Sequence, residues 1–279
     1  MFSAARKGPG VCVATFALVI TSALTADARC QHTNGKAFEC DCGRKPGDVP
    51  LTKELWEKHT TAELQAVTCI PREEFKNFGG PLKFTGLKNL REVELKAFLG
   101  APFVSFTGSY PNLMIIGTAA FYRAGGRKQT QVDLSNAPML KLLDDWAFYQ
   151  YRGKIVLEGD FFDLVQVGIG TFFEGGSNDS IIDFTEAPSL QKMMNQAFYR
   201  YTGTVKVGGA MPAFDEIGGN CFAEASNRDN RIAIECVSTG GLSISGDSFK
   251  DFRGRRDKKG EKRTCSSNQH LNTARKSEL

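Results

Sequence analysis

Residues 184–198, FTEAPSLQKMMNQAF, decide the fold, because this stretch recurs at intervals close to 50 residues on both sides. FTGLKNLREVELKAF at 84–98 and LSNAPMLKLLDDWAF at 134–148 repeat it with different surface residues, and IECVSTGGLSISGDSF at 234–249 is a degenerate fourth copy. Repetition on this scale points to stacked units rather than to a single irregular core.

Working outward, a register can be set on the phenylalanine that closes each unit. These are Phe98, Phe121, Phe148, Phe172, Phe198, Phe222 and Phe249, spaced by 23, 27, 24, 26, 24 and 27 residues, so short and long units alternate. The residue before each is small: Ala97, Ala120, Ala147, Thr171, Ala197, Cys221, Ser248. Five positions before stands Val93, Ile116, Leu143, Val167, Met193, Ile217 or Ile244, and eight before stands Leu90, Leu113, Leu140, Leu164, Leu190 or Phe214, with Gly241 as the exception. Further upstream each unit carries a short apolar alternation, such as Lys154-Ile155-Val156-Leu157, which has the period and β-branched content of a strand. One unit cannot bury its own Leu, Ile and Phe, whereas stacked units bury them in continuous ladders with strands pairing in parallel. The expected fold class is α/β or mainly β: a solenoid of about seven coils of 23–27 residues.

The hexapeptides Ile116-Gly117-Thr-Ala-Ala-Phe121, Val167-Gly168-Ile-Gly-Thr-Phe172 and Ile217-Gly218-Gly-Asn-Cys-Phe222 resemble the signature of BspA-type leucine-rich repeats. The resemblance runs from about Leu82 to Phe252. It implies a curved right-handed solenoid with a parallel sheet on one face, used for protein recognition or adhesion and without catalytic residues. The usual Pro after the strand is not regular here.

Four segments follow. Residues 1–28 read as a secretory signal, with Arg6 and Lys7 ahead of an apolar run from Val11 to Ile20 and small residues up to Ala28. The alternative is an uncleaved anchor, although the run is shorter than the roughly 20 apolar residues that span a bilayer. Residues 29–80 read as a cysteine-containing cap that is helical in parts, with Thr60 and Glu63 as a capping box and Pro71 opening a second short helix. Residues 81–252 are the solenoid, and 253–279 a basic tail.

Cysteine use agrees with an oxidising compartment. Cys30, Cys40, Cys42 and Cys69 read as two disulfides of unassigned connectivity; a thiolate metal site is the weaker reading, because Cys40-Asp41-Cys42 is not a C-x2-C pair. The same spacing argues against a Cys-x-x-Cys oxidoreductase, and Cys221 sits at a small core position. Cys236 and Cys265 can pair beyond the last repeats. The C-terminal Lys276-Ser277-Glu278-Leu279 resembles the K-D-E-L retrieval signal, implying an endoplasmic-reticulum resident read by a retrieval receptor; the alternative is a secreted or cell-surface adhesin.

The formal net charge is +4, and Lys250–Arg263 holds eight Lys/Arg against three acids, so the folded part is near neutral and a nucleic-acid partner finds no support. The basic run is either a holder of polyanions such as glycosaminoglycans or a solvated, disordered segment. With His32, His59 and His270 all outside the repeats, no catalytic set or cofactor pattern emerges, and no second apolar run calls for membrane insertion after signal cleavage.

Recognition of a protein partner therefore falls to the surface, through the sheet face or the long-unit loops 122–131, 173–180 and 223–231, which contribute Arg123, Arg127, Asn178 and Arg228. Tyr149, Tyr151, Tyr199 and Tyr201 read either as a partly exposed aromatic row suited to a protein interface or as inter-coil packing with the hydroxyls at the surface, with Tyr149 near Tyr199 and Tyr151 near Tyr201. Asn178-Asp179-Ser180 is a glycosylation sequon.

Overall fold

A computed structural model describes residues 30–31, 39–40, 42–43, 46–126 and 130–265. Two parallel eight-stranded sheets run the length of a solenoid; each coil closed by Phe98 to Phe249 gives one strand to each sheet, the coil closed by Phe75 gives a strand to the second sheet alone, and a last strand of the first sheet follows Phe249. The longer strands are Leu82–Thr85, Val104–Thr107, Gln131–Asp133, Lys154–Glu158, Ile181–Phe184, Thr204–Ala210, Arg231–Cys236 and Arg255–Arg256. The opposite sheet is made of two-residue strands: Cys69–Ile70, Glu92–Val93, Ile115–Ile116, Leu142–Leu143, Gln166–Val167, Lys192–Met193, Glu216–Ile217 and Ser243–Ile244. Along the longer strands alternate residues are buried, as in Val104–Thr107 and Ile181–Phe184, which is the period-two signal seen in the sequence.

A six-residue turn closes each coil around its phenylalanine. Backbone N–H groups two before, at and two after that residue donate to the next coil: Trp146 to Ile169 O, Phe148 to Thr171 O and Gln150 to Phe173 O, at 2.8, 2.7 and 2.8 Å. The outer two of these positions are left-handed in most coils, with φ of 59° at Trp146 and 50° at Gln150. Aligning alternate N–H groups along the solenoid axis adds a third ladder of hydrogen bonds to the two sheets, and that regular bonding holds non-glycine residues in a costly conformation.

The closing rings stack in one line. Phe75, Phe98, Phe121, Phe148, Phe172, Phe198, Phe222 and Phe249 follow one another at centroid distances of 5.5, 4.9, 5.0, 5.3, 5.1, 5.2 and 5.2 Å. Seven of these eight are fully buried, and burial of each contributes about 1.5–3 kcal/mol. The small residues beside them are buried too, and the polar ones are satisfied by backbone: the Thr171 hydroxyl donates to Asp144 O and Gly168 O, and the Ser248 hydroxyl to Gly218 O. The glycine of the repeat signature has the same cause. A Cβ on Gly168 would lie 2.6 Å from Asp145 N, and one on Gly218 would lie 2.5 Å from Asn195 N.

Phe75 corrects the coil count. The solenoid has eight coils rather than seven, and the first lies inside the segment assigned to the cap. Val67 and Ile70 occupy the apolar positions of the repeat and are fully buried. Pro71 therefore opens no helix: Glu73, Phe75 and Asn77 donate to Leu95 O, Ala97 O and Leu99 O, a ladder between coils that a local helix would forgo.

Each end is closed differently. At the N-terminal end two six-residue helices, Lys53–Lys58 and Thr61–Ala66, lie over the first coil, and Thr60 with Glu63 forms the expected capping box. Trp56 packs 4.8 Å from Phe84, and Cys42 is disulfide-bonded to Cys69. The buried Glu94 carboxylate accepts from Cys42 N–H and Arg72 N–H, both at 2.8 Å. The backbones of Cys30 and Cys40 are opposite one another in a short antiparallel ladder. At the C-terminal end the basic run is part of the fold up to Cys265, and the reading of a solvated tail fails over 253–265. Arg255–Arg256 is the last strand of the longer sheet, and Cys236 is disulfide-bonded to Cys265. The Arg256 guanidinium lies 3.8 Å over Phe249, held by two 2.8 Å hydrogen bonds to Glu261, so a cation ends the phenylalanine line. No helix among the described residues is long and apolar enough to cross a membrane.

Candidate functional site

The side chains one and two positions after the closing phenylalanine point away from the core, and stacking arranges them as two parallel rails. On the first rail Tyr122, Tyr149, Phe173 and Tyr199 are half-exposed and stack face to face at 4.5, 4.9 and 4.8 Å. Arg123 and Arg200 place their guanidinium groups 5.3 Å over Tyr122 and 4.9 Å over Tyr199, closing the line at both ends. Trp146 meets Tyr149 edge-on at 5.4 Å.

The second rail is polar. Arg123 Nε donates to Gln150 Oε1 at 2.9 Å, and Gln150 Nε2 donates to Glu174 Oε2 at 2.8 Å. Arg200 donates to Glu174 Oε1 at 3.1 Å and to Glu224 Oε2 at 2.7 Å. Tyr199 adds a 2.7 Å hydrogen bond from its hydroxyl to Glu224 Oε1. The hydrogen bonds from Arg200 and Tyr199 hold the Glu224 carboxyl below the usual range, and donation to Glu224 raises the Tyr199 hydroxyl.

Tyr151 and Tyr201 do not belong to an exposed row. Both are fully buried, edge-on to the closing phenylalanines: Tyr151 is 6.1 Å from Phe148, and Tyr201 is 5.9 Å from Phe198. The position three after the closing residue alternates between large and small, with Ala124 before Tyr151 and Gly175 before Tyr201. A large ring in every coil would leave no room for its neighbours, and this alternation also separates Tyr151 from Tyr201. Phe173 likewise stands between Tyr149 and Tyr199, which are not direct neighbours.

Tyr122, Phe173, Gln150, Glu174 and Glu224 escaped the sequence reading. Tyr122 and Phe173 open the long loops, whose polar composition hides their place in the repeat. Counting on from each closing phenylalanine would have placed them in register with Tyr149 and Tyr199.

The long loops leave alternate coils at equivalent points. Gly125 and Gly176, at φ 75° and 78°, donate N–H to Ala101 O and Tyr151 O, and a Cβ on Gly176 would lie 2.7 Å from the Tyr201 ring. Each loop ends on a buried polar residue, Thr130, Ser180 or Asn230. Ser180 Oγ accepts from Ile155 N–H, and Asn230 Oδ1 from Val205 N–H, both in the preceding coil. Asn178 and Arg228 are exposed at the loop tips. Arg127, Lys276, Ser277, Glu278 and Leu279 lie outside the described residues, as does the signal segment 1–28. The unbridged Cys221 is buried, and burial pushes its thiol up, the opposite of an activated nucleophile.

No protein-family model matches this chain, and no curated protein matches it.

Proposed function

We propose that this chain is a non-enzymatic recognition protein of the secretory pathway, built on BspA-like leucine-rich repeats, that binds a protein partner through the outer face of its closing turns. The observation that carries this reading is the rail Tyr122–Tyr149–Phe173–Tyr199 beside a rail of hydrogen-bonded charges. Rings locked by their neighbours lose little further entropy on binding, which suits a protein interface. Their faces are covered by one another, so they present edges and hydroxyls; a glycan platform needs open ring faces. The paired charges beside them keep the surface polar enough to remain hydrated when unoccupied.

Two disulfides, one near each end, support an oxidising compartment. We place the protein in the endoplasmic-reticulum lumen on the strength of Lys276–Leu279, with a retrieval receptor as a second partner; disulfide-pinned ends favour a secreted or surface adhesin as the other reading. Proximity labelling with the full chain tests both. The triple variant Tyr122→Ala, Tyr149→Ala, Tyr199→Ala is expected to lose a labelled partner that the wild type and Lys53→Ala retain, and deletion of Lys276–Leu279 to release the protein from the cell. A partner set unchanged by the triple variant, with its fold intact, overturns the recognition face.

A further inference from the structure

The internal repeat provides its own reference for what is unusual in it. At the second position after the closing phenylalanine the later long units carry Glu174 and Glu224, and Arg200 from the short unit between them donates to both, which leaves that trio with a net charge of −1. The first long unit carries Arg123 instead. Its short-unit neighbour supplies the uncharged Gln150, and two residues on stands Arg152, where the next short unit has Thr202. The pairing that closes the later coils is thus inverted into an excess of positive charge. Arg123, Arg152 and Gln150 line an open cleft of about 430 Å³ with Pro102, Gly125 and Gly126. Arg152 is exposed and has no carboxylate partner among the described residues. Its stem runs beside Gly126, whose φ of 109° is a conformation that favours glycine.

We infer that this cleft takes the carboxylates of an acidic peptide segment, whose apolar residues then lie along the edges of Tyr122 and Tyr149. The inference rests on the recognition face proposed above and names the chemistry of its partner. Guanidinium forks match carboxylates bidentately, and Arg123 is already oriented by its bond to Gln150. A long polyanion is disfavoured, since the rail continues into Glu174 two coils beyond Arg123 and Glu224 four coils beyond it, and a uniformly negative chain would meet them.

Fluorescence anisotropy of the purified full chain with a labelled peptide of alternating glutamate and phenylalanine tests this. Saturable binding is expected, weakened about ten-fold or more by Arg152→Glu and left unchanged by Lys53→Glu, which alters charge on the exposed N-terminal helix. The glutamine–phenylalanine counterpart should bind at least about ten-fold more weakly than the glutamate peptide. Equal losses from the two charge-reversal variants, no binding by wild type, or tighter binding of a heparin oligosaccharide overturns the proposal. If Arg152→Glu leaves cellular partner labelling intact while the tyrosine triple variant abolishes it, the cleft fails and the recognition face stands; if neither variant changes labelling, the face itself fails.

Discussion

Each closing turn has an inner and an outer side, and the two obey different rules. Inside, the phenylalanine is the same in all eight coils. Outside, the next residue runs Lys76, Leu99, Tyr122, Tyr149, Phe173, Tyr199 and Lys250, with only the small Ala223 of the seventh coil covered by its neighbours. Backbone geometry is shared, so the difference is one of environment: an inner ring must fit two ring neighbours and a closed core, whereas an outer side chain answers to water and to whatever binds there. Variation on an otherwise periodic scaffold is the signal that separates surface chemistry from stacking.

The sharpest way to break this comparison is Phe172→Ala. Its ring lies between Phe148 and Phe198 at 5.3 and 5.1 Å, and its removal should cost about 3–5 kcal/mol in chemical denaturation. A loss no larger than that of an outer ring would end the distinction. Gly168→Ala tests close approach from the other direction: the added methyl meets Asp145 N at 2.6 Å, and a loss of about 1–3 kcal/mol from overpacking is expected. Tyr149→Ala, on the outer rail, removes two ring stacks from a half-exposed site, and a loss of about 1 kcal/mol with unchanged circular dichroism is expected.

The smallest effect is in the polar rail. Because the folded-state pKa of Glu224 lies below its unfolded value, its contribution is fully present above the ordinary carboxylate range and is lost as pH falls through that range toward the lower folded value. Arg200→Ala removes the principal cause of that depression, so the acid branch of the stability–pH curve should be shallower for the variant than for wild type. Parallel curves would show that the rail contributes nothing in solution, as is common for exposed ion pairs.

Legibility followed the same division. The period, the closing phenylalanines, the small residue beside each and the strand alternation were all readable, since each is an inner-side requirement repeated coil after coil. The first coil was missed because Glu74 stands where the repeat has a small residue and Pro71 mimics a helix start, although Val67, Ile70 and Phe75 keep the spacing. The last strand was missed because Arg255 and Arg256 look like a solvated run; only the Cys236–Cys265 bond and Phe249 beneath Arg256 explain their order. Tyr151 looked like Tyr149 in sequence, yet two residues along a turn separate a buried ring from an exposed one.

By itself, then, the sequence determined that this chain stacks, with what period and around which ring, because a ladder demands the same residue in each unit and repetition is visible without coordinates. Which tyrosines reach the surface, which charges neutralise one another and where two arginines are left over was decided only by the tertiary structure. Those properties depend on neighbours about 25 residues away in sequence and 4–5 Å away in space, and no local pattern encodes them.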